Sequence, residues 1–121
     1  MAKSGDDSGR EYRELVRVLE VAVRAGVDSV ELEYEDREWS VYFNFGRPGS
    51  HLGETGIGGA FIPKEFQQGV IAEIMRRARK SRGKFTVNLL GEDYTVGVKR
   101  HMSFDEWVYT LTLKKRRGKA S

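Results

Sequence analysis

The stretch Ser29-Val30-Glu31-Leu32-Glu33-Tyr34-Glu35-Asp36-Arg37-Glu38-Trp39-Ser40-Val41-Tyr42-Phe43-Asn44-Phe45 decides the fold. In its first half Val30, Leu32 and Tyr34 alternate with Glu31, Glu33 and Glu35. In its second half Trp39, Val41, Phe43 and Phe45 alternate with Ser40, Tyr42 and Asn44. A period of two sends successive side chains to opposite faces, so each half is a strand with one buried and one wet face. The short Asp36-Arg37 connection makes the pair an antiparallel hairpin.

Helical spacing flanks this hairpin on both sides. Upstream, Tyr12, Leu15, Val16, Leu19, Ala22 and Val23 form one apolar stripe, which predicts a helix over 10–25 stopped by Gly26. Downstream comes a glycine-rich segment, Gly46 to Gly59, and then Pro63, a residue suited to the first position of a helix. Phe66, Val70, Ile71, Ile74, Met75 and Ala78 supply that helix's apolar face, and Gly83 ends it. Gly69 inside it costs about 1 kcal/mol relative to Ala.

Three further alternating runs close the chain. They carry Phe85, Val87 and Leu89; then Tyr94, Val96 and Val98; then Trp107, Tyr109, Leu111 and Leu113. Turns are expected at Gly91-Glu92-Asp93 and from Ser103 to Glu106. The order α-β-β-α-β-β-β predicts an α+β fold, a five-stranded, mostly antiparallel sheet with two helices on one face. Trp39, Phe43, Phe45, Phe85, Tyr94, Trp107 and Tyr109 occupy inward positions and read as core, with a ligand cavity between sheet and helices as the other use for them. The opposite face, with Glu31, Glu33, Glu35, Tyr42, Asn44, Thr86, Asn88, Thr95, Lys99, Thr110 and Thr112, is polar and needs no cover. Val108 falls on that wet face too. Residues 10–113 form one domain in this reading, 1–9 a disordered N-terminus and 114–121 a basic tail.

Composition narrows the chemistry. Among 121 residues there is no cysteine, which excludes disulfides, thiolate metal sites and cysteine nucleophiles. No apolar run approaches the roughly 20 residues of a membrane span, so membrane insertion is not expected and the cytoplasm is the default compartment. The net charge of +3 conceals a division. Residues 1–60 hold 7 basic and 12 acidic side chains, a balance of −5, and residues 61–121 hold 14 and 6, a balance of +8.

From helix to hairpin, Gly26-Val27-Asp28-Ser29-Val30-Glu31-Leu32-Glu33 and then Phe45-Gly46 resemble the small N-terminal domain of type II secretion and type IV pilus ATPases. In that family a helix leads into Gly-Ala-Ser-Asp-Ile-His and a hairpin ending near Asp-Gly. A helix follows, then strands similar to Gly83-Lys84-Phe85-Thr86-Val87-Asn88-Leu89 and Tyr94-Thr95-Val96-Gly97-Val98. The resemblance covers residues 11–113 in element order. Ser and Asp are exchanged at 28–29, Glu31 stands where the family has His, and the arginine of the fourth strand has no secure counterpart. No Walker A sequence is present. The resemblance implies a PAS-like packing or assembly domain without catalysis.

Two segments are candidate sites. Gly56-Ile57-Gly58-Gly59 holds a Gly-x-Gly and a Gly-x-x-Gly, patterns that approach phosphate or nucleotide backbones. It lacks the Lys-Ser/Thr of a P-loop, so Gly56, Gly58 and Gly59 are either an anion contact or part of a long connection. Arg76, Arg77, Arg79, Lys80, Arg82 and Lys84 cluster at the end of the second helix. There they complement its dipole, and they can also bind an anionic partner. The Glu31/Glu33/Glu35 stripe reads as a solvated strand face. His51 and His101 have no partner at metal-ligand spacing, and no catalytic grouping, metal or cofactor is expected. The reading that follows is a non-catalytic interaction domain for a protein or anionic partner, with self-association through opposite charges included. Its alternative is a nucleic-acid-binding domain that uses the basic helix end and the tail.

Overall fold

A computed structural model describes residues 3–35, 37–44, 62–80, 82–103 and 105–116. Its elements run α1 (Lys3–Ala25), β1 (Ser29–Glu35), β2 (Glu38–Asn44), α2 (Lys64–Lys80), β3 (Lys84–Leu89), β4 (Glu92–Ser103) and β5 (Glu106–Lys115). The α+β class and the element order are those the alternation and helical spacing predict. The strands form one sheet in the order β2-β1-β5-β4-β3, and every neighbouring pair is antiparallel. The first hairpin therefore joins the last strand: β1 lies beside β5, with Ser29 opposite Thr112 and Leu32 opposite Tyr109.

Both helices pack on one face. Leu15, Val18, Leu19 and Ala22 of α1 and Val70, Ile71 and Ile74 of α2 meet Val30, Leu32, Phe43, Phe85, Val87, Leu89, Val96 and Leu111 of the sheet. The two helices also touch closely. The Glu11 side chain of α1 lies over Gly69, in the space a Cβ there would take, so the position that weakens α2 locally gives that side chain room. α1 closes at Gly26 (φ +77°), where Val27 N–H donates to Ala22 C=O and Gly26 N–H to Val23 C=O. This is the paired bonding of a Schellman end.

Boundaries differ near both ends of the chain. α1 begins at Lys3, so residues 3–9, expected to be disordered, are helical. An apolar stripe marks only where a helix is packed, and the backbone ladder continues past it. β5 extends to Lys115, beyond the expected start of a basic tail at 114, because Lys114 and Lys115 pair with Thr95 and Tyr94. Ladder bonds are made by the backbone and are indifferent to side-chain charge.

Two side chains also depart from their expected environments. Val108, on the outer face by alternation, is 2% exposed, lying between Glu33 and His101 of the neighbouring strands. Trp107, inward by alternation, is 41% exposed, because the β4–β5 hairpin runs past the part of the sheet that the core covers. Alternation assigns a face and says nothing about what lies over it. The turn Leu90-Gly91 has positive φ at both residues (53° and 85°), the geometry of a two-residue hairpin loop, one position before the expected Gly91-Glu92-Asp93.

Candidate functional site

The basic end of α2 divides between two faces of the helix. Residues three and four apart share a face, so Glu73, Arg76 and Arg77 stand together, and Met75, Ala78 and Arg79 stand together elsewhere. On the first face Arg76 Nη2 lies 2.5 Å from Glu73 Oε1 and Arg77 Nε 2.6 Å from Glu73 Oε2. The Arg77 guanidinium also sits 4.0 Å over the ring of Tyr12, from α1. Burial pulls the Glu73 carboxyl upward, but the hydrogen bonds from Arg76 and Arg77 outweigh it and hold the group below its ordinary range. Arg76 and Arg77 are thus engaged within the fold.

The second face opens on a groove of about 240 Å³. Met75, Ala78 and Arg79 form one wall; Val98 and Arg100 from β4, Tyr109 from β5 and Gly83 from the intervening turn form the rest. Arg100 lies opposite Tyr109 in the β4–β5 register, and its guanidinium is 4.4 Å over the ring of Trp107. The Tyr109 hydroxyl donates to Met75 Sδ at 3.2 Å across the floor. An apolar floor with guanidinium groups on two walls suits an anion that carries an apolar part.

The turn that links α2 to β3 sets this geometry. Gly83 N–H donates to Ala78 C=O at 2.7 Å, closing the helix, and Val98 N–H donates to Gly83 C=O at 2.8 Å, fastening the turn to β4. Arg82 (φ +57°) and Gly83 (φ +93°) both take the left-handed conformation this reversal needs. Lys80, Arg82 and Lys84 are exposed around the turn, next to Arg79. Among the described residues Arg79, Lys80, Arg82 and Lys84 make no ion pair. The structure therefore brings Arg79, Lys80, Arg82 and Lys84 to one end of the molecule, holds Arg76 and Arg77 on Glu73, and sets Arg77 against α1. Gly56, Gly58 and Gly59, and His51 with them, lie outside the described residues.

Arg100, Trp107 and Met75 were missed as site residues. Arg100 is one of two cations in the Lys99-Arg100 pair, far in sequence from the helix end, and only the α2–β3 reversal brings it near Arg79. Met75 and Trp107 read as core from spacing alone.

The outer face holds a different arrangement. Tyr42 Oη donates to both carboxylate oxygens of Glu35 at 3.1 Å, and Asn44 Nδ2 donates to Glu31 Oε1 at 3.4 Å. Repulsion along the glutamate stripe is relieved in part by these neutral donors. Burial and then the Glu35 bond and charge raise the Tyr42 phenol above its ordinary value. Among the described residues no cluster of three metal-ligating side chains occurs, and no helix is long and apolar enough to cross a membrane.

Comparison with protein-family models, with curated proteins and with solved structures gave no match to the chain.

Proposed function

We propose that this chain is a non-catalytic interaction domain, acting in the cytoplasm within a larger assembly, that binds a protein or other anionic partner at the end of α2. One observation carries the reading. Arg79 and Arg100 edge a groove with an apolar lining, and Lys80, Arg82 and Lys84 are exposed at the neighbouring helix end, turn and start of β3. Clustered positive charge beside low-dielectric walls attracts an anionic partner and orients it. The assembly role follows the element order that resembles the N-terminal domain of secretion and pilus ATPases.

Titration with poly-glutamate at low salt, followed by amide chemical shifts, tests this. Shifts confined to Arg79, Lys80, Arg82, Lys84 and Arg100 are expected, fading as salt rises. A spectrum that does not change would remove the proposal. The rival reading is nucleic acid, favoured by the same exposed cations. It requires a steep salt slope in a DNA or RNA mobility-shift assay, with charge reversal at Arg82 and Lys84 each lowering it by about one counterion.

A further inference from the structure

Resting on that reading, we infer that the groove receives one bulky apolar side chain from an acidic segment of a partner protein, with Arg79 and Arg100 binding carboxylates on either side of it. The size of the groove is the first argument. At about 240 Å³ it falls below the range of roughly 300–1,000 Å³ typical of sites for drug-sized ligands and cofactors. It holds one large side chain. Its apolar lining of Met75, Ala78, Val98 and the Tyr109 ring matches an apolar anchor, and methionine adapts its shape to the occupant.

The placement of charge is the second argument. Arg79 comes from the helix wall and Arg100 from the strand wall, so the two guanidinium groups approach from different elements. With its guanidinium carbon 4.4 Å over the Trp107 ring, Arg100 still has N–H donors to offer a carboxylate. The same contact covers part of the indole surface on which a nucleobase would stack. This favours an acidic peptide over a nucleic acid. The Tyr109 hydroxyl adds a polar contact. Its present acceptor is a thioether, a weak one, and a peptide carbonyl would displace it.

The test uses the full chain and capped peptides, Asp-Glu-Phe-Glu-Asp and Asp-Glu-Ala-Glu-Asp, with a thymidine oligonucleotide as the nucleic-acid probe. In an NMR titration at low salt the Phe peptide is expected to shift Met75, Ala78, Val98 and Arg100, and to bind about tenfold more tightly than the Ala peptide. Arg100→Glu and Arg79→Glu should each weaken it about tenfold, while Arg82→Glu changes it about twofold. The unliganded spectrum of each variant reports whether it is folded, and either groove variant suffices alone. Equal affinity for the two peptides, or shifts centred on Lys80, Arg82 and Lys84, would overturn the inference and leave the broader reading standing. The same shifts appearing on concentrating the protein without peptide would put a second copy in the groove and overturn it as well. Oligonucleotide binding to the groove that excludes the Phe peptide would also overturn it. Silence from both peptides, and from poly-glutamate, would end both readings.

Discussion

The β1–β2 and β4–β5 hairpins each carry one tryptophan on the helix side of the sheet, and the two have different surroundings. Trp39 packs against the core, its ring 5.2 Å from that of Tyr34 and 5.5 Å from that of Tyr109. Its backbone N–H, on the outer edge of the sheet, donates to Gln67 Oε1 of α2, and Gln67 Nε2 donates in turn to Ile62 C=O. A helix side chain thus closes part of an edge that would otherwise invite another strand. Trp107 has Arg100 over it, and its cross-strand neighbour Met102 is 51% exposed. The first hairpin is acidic and short, with strands of 7 residues each; the second is long, with strands of 12 and 10, and balances Lys99, Arg100, Lys114 and Lys115 against Glu92, Asp93, Asp105 and Glu106. The same local pattern thus yields core in one hairpin and accessible surface in the other, and the cover decides which.

Breaking the covered side should cost most. Trp39→Ala removes a ring packed on two others and is expected to destabilise the protein by about 2–4 kcal/mol in urea unfolding. Gln67→Ala strands the Trp39 N–H and the Ile62 carbonyl, for a loss of about 1–3 kcal/mol, and the Trp39 amide should exchange with solvent faster.

Glu73 sharpens the comparison through pH. Its folded affinity for a proton lies below its unfolded one, so its contribution is complete above the unfolded value and is lost as pH falls through the folded one. Glu73→Gln should flatten that part of the acid limb and cost about 1 kcal/mol at neutral pH, the half-exposed arginines limiting the effect. A limb as steep as in the parent would contradict the role given to Glu73. Smallest of all is Trp107→Ala, expected to change stability by less than about 1 kcal/mol. Iodide should quench a variant that retains only Trp107 more strongly than one that retains only Trp39, and equal quenching would erase the contrast between the hairpins.

Much of the fold was legible because alternation and helical spacing are local. The helix faces from Leu15 to Ala22 and from Val70 to Ala78, and each strand's inward residues, were readable one element at a time. Strand order was not, since Val30 and Leu32 face inward equally well whichever strand lies beside β1. The candidate site was half legible. The cations from Arg76 to Lys84 stand out as a run, but their division needed the partners Glu73 and Tyr12 on one side and Val98, Arg100 and Tyr109 on the other. Those contacts arise from the reversal at Arg82-Gly83 and the length of β4, which connect positions far apart in sequence.

The pairing of β1 with β5 bears on how the chain is made. Emerging from a ribosome N-terminus first, β1 can join β2 at once, but its other edge has no partner until residues 108–112 have been synthesised. Contacts between distant segments form late and slow the search for the native state. Until then the hairpin carries an open edge. The glutamates that alternate along β1 would set like charges opposite one another if that edge met the same strand of a second nascent chain, which disfavours such pairing.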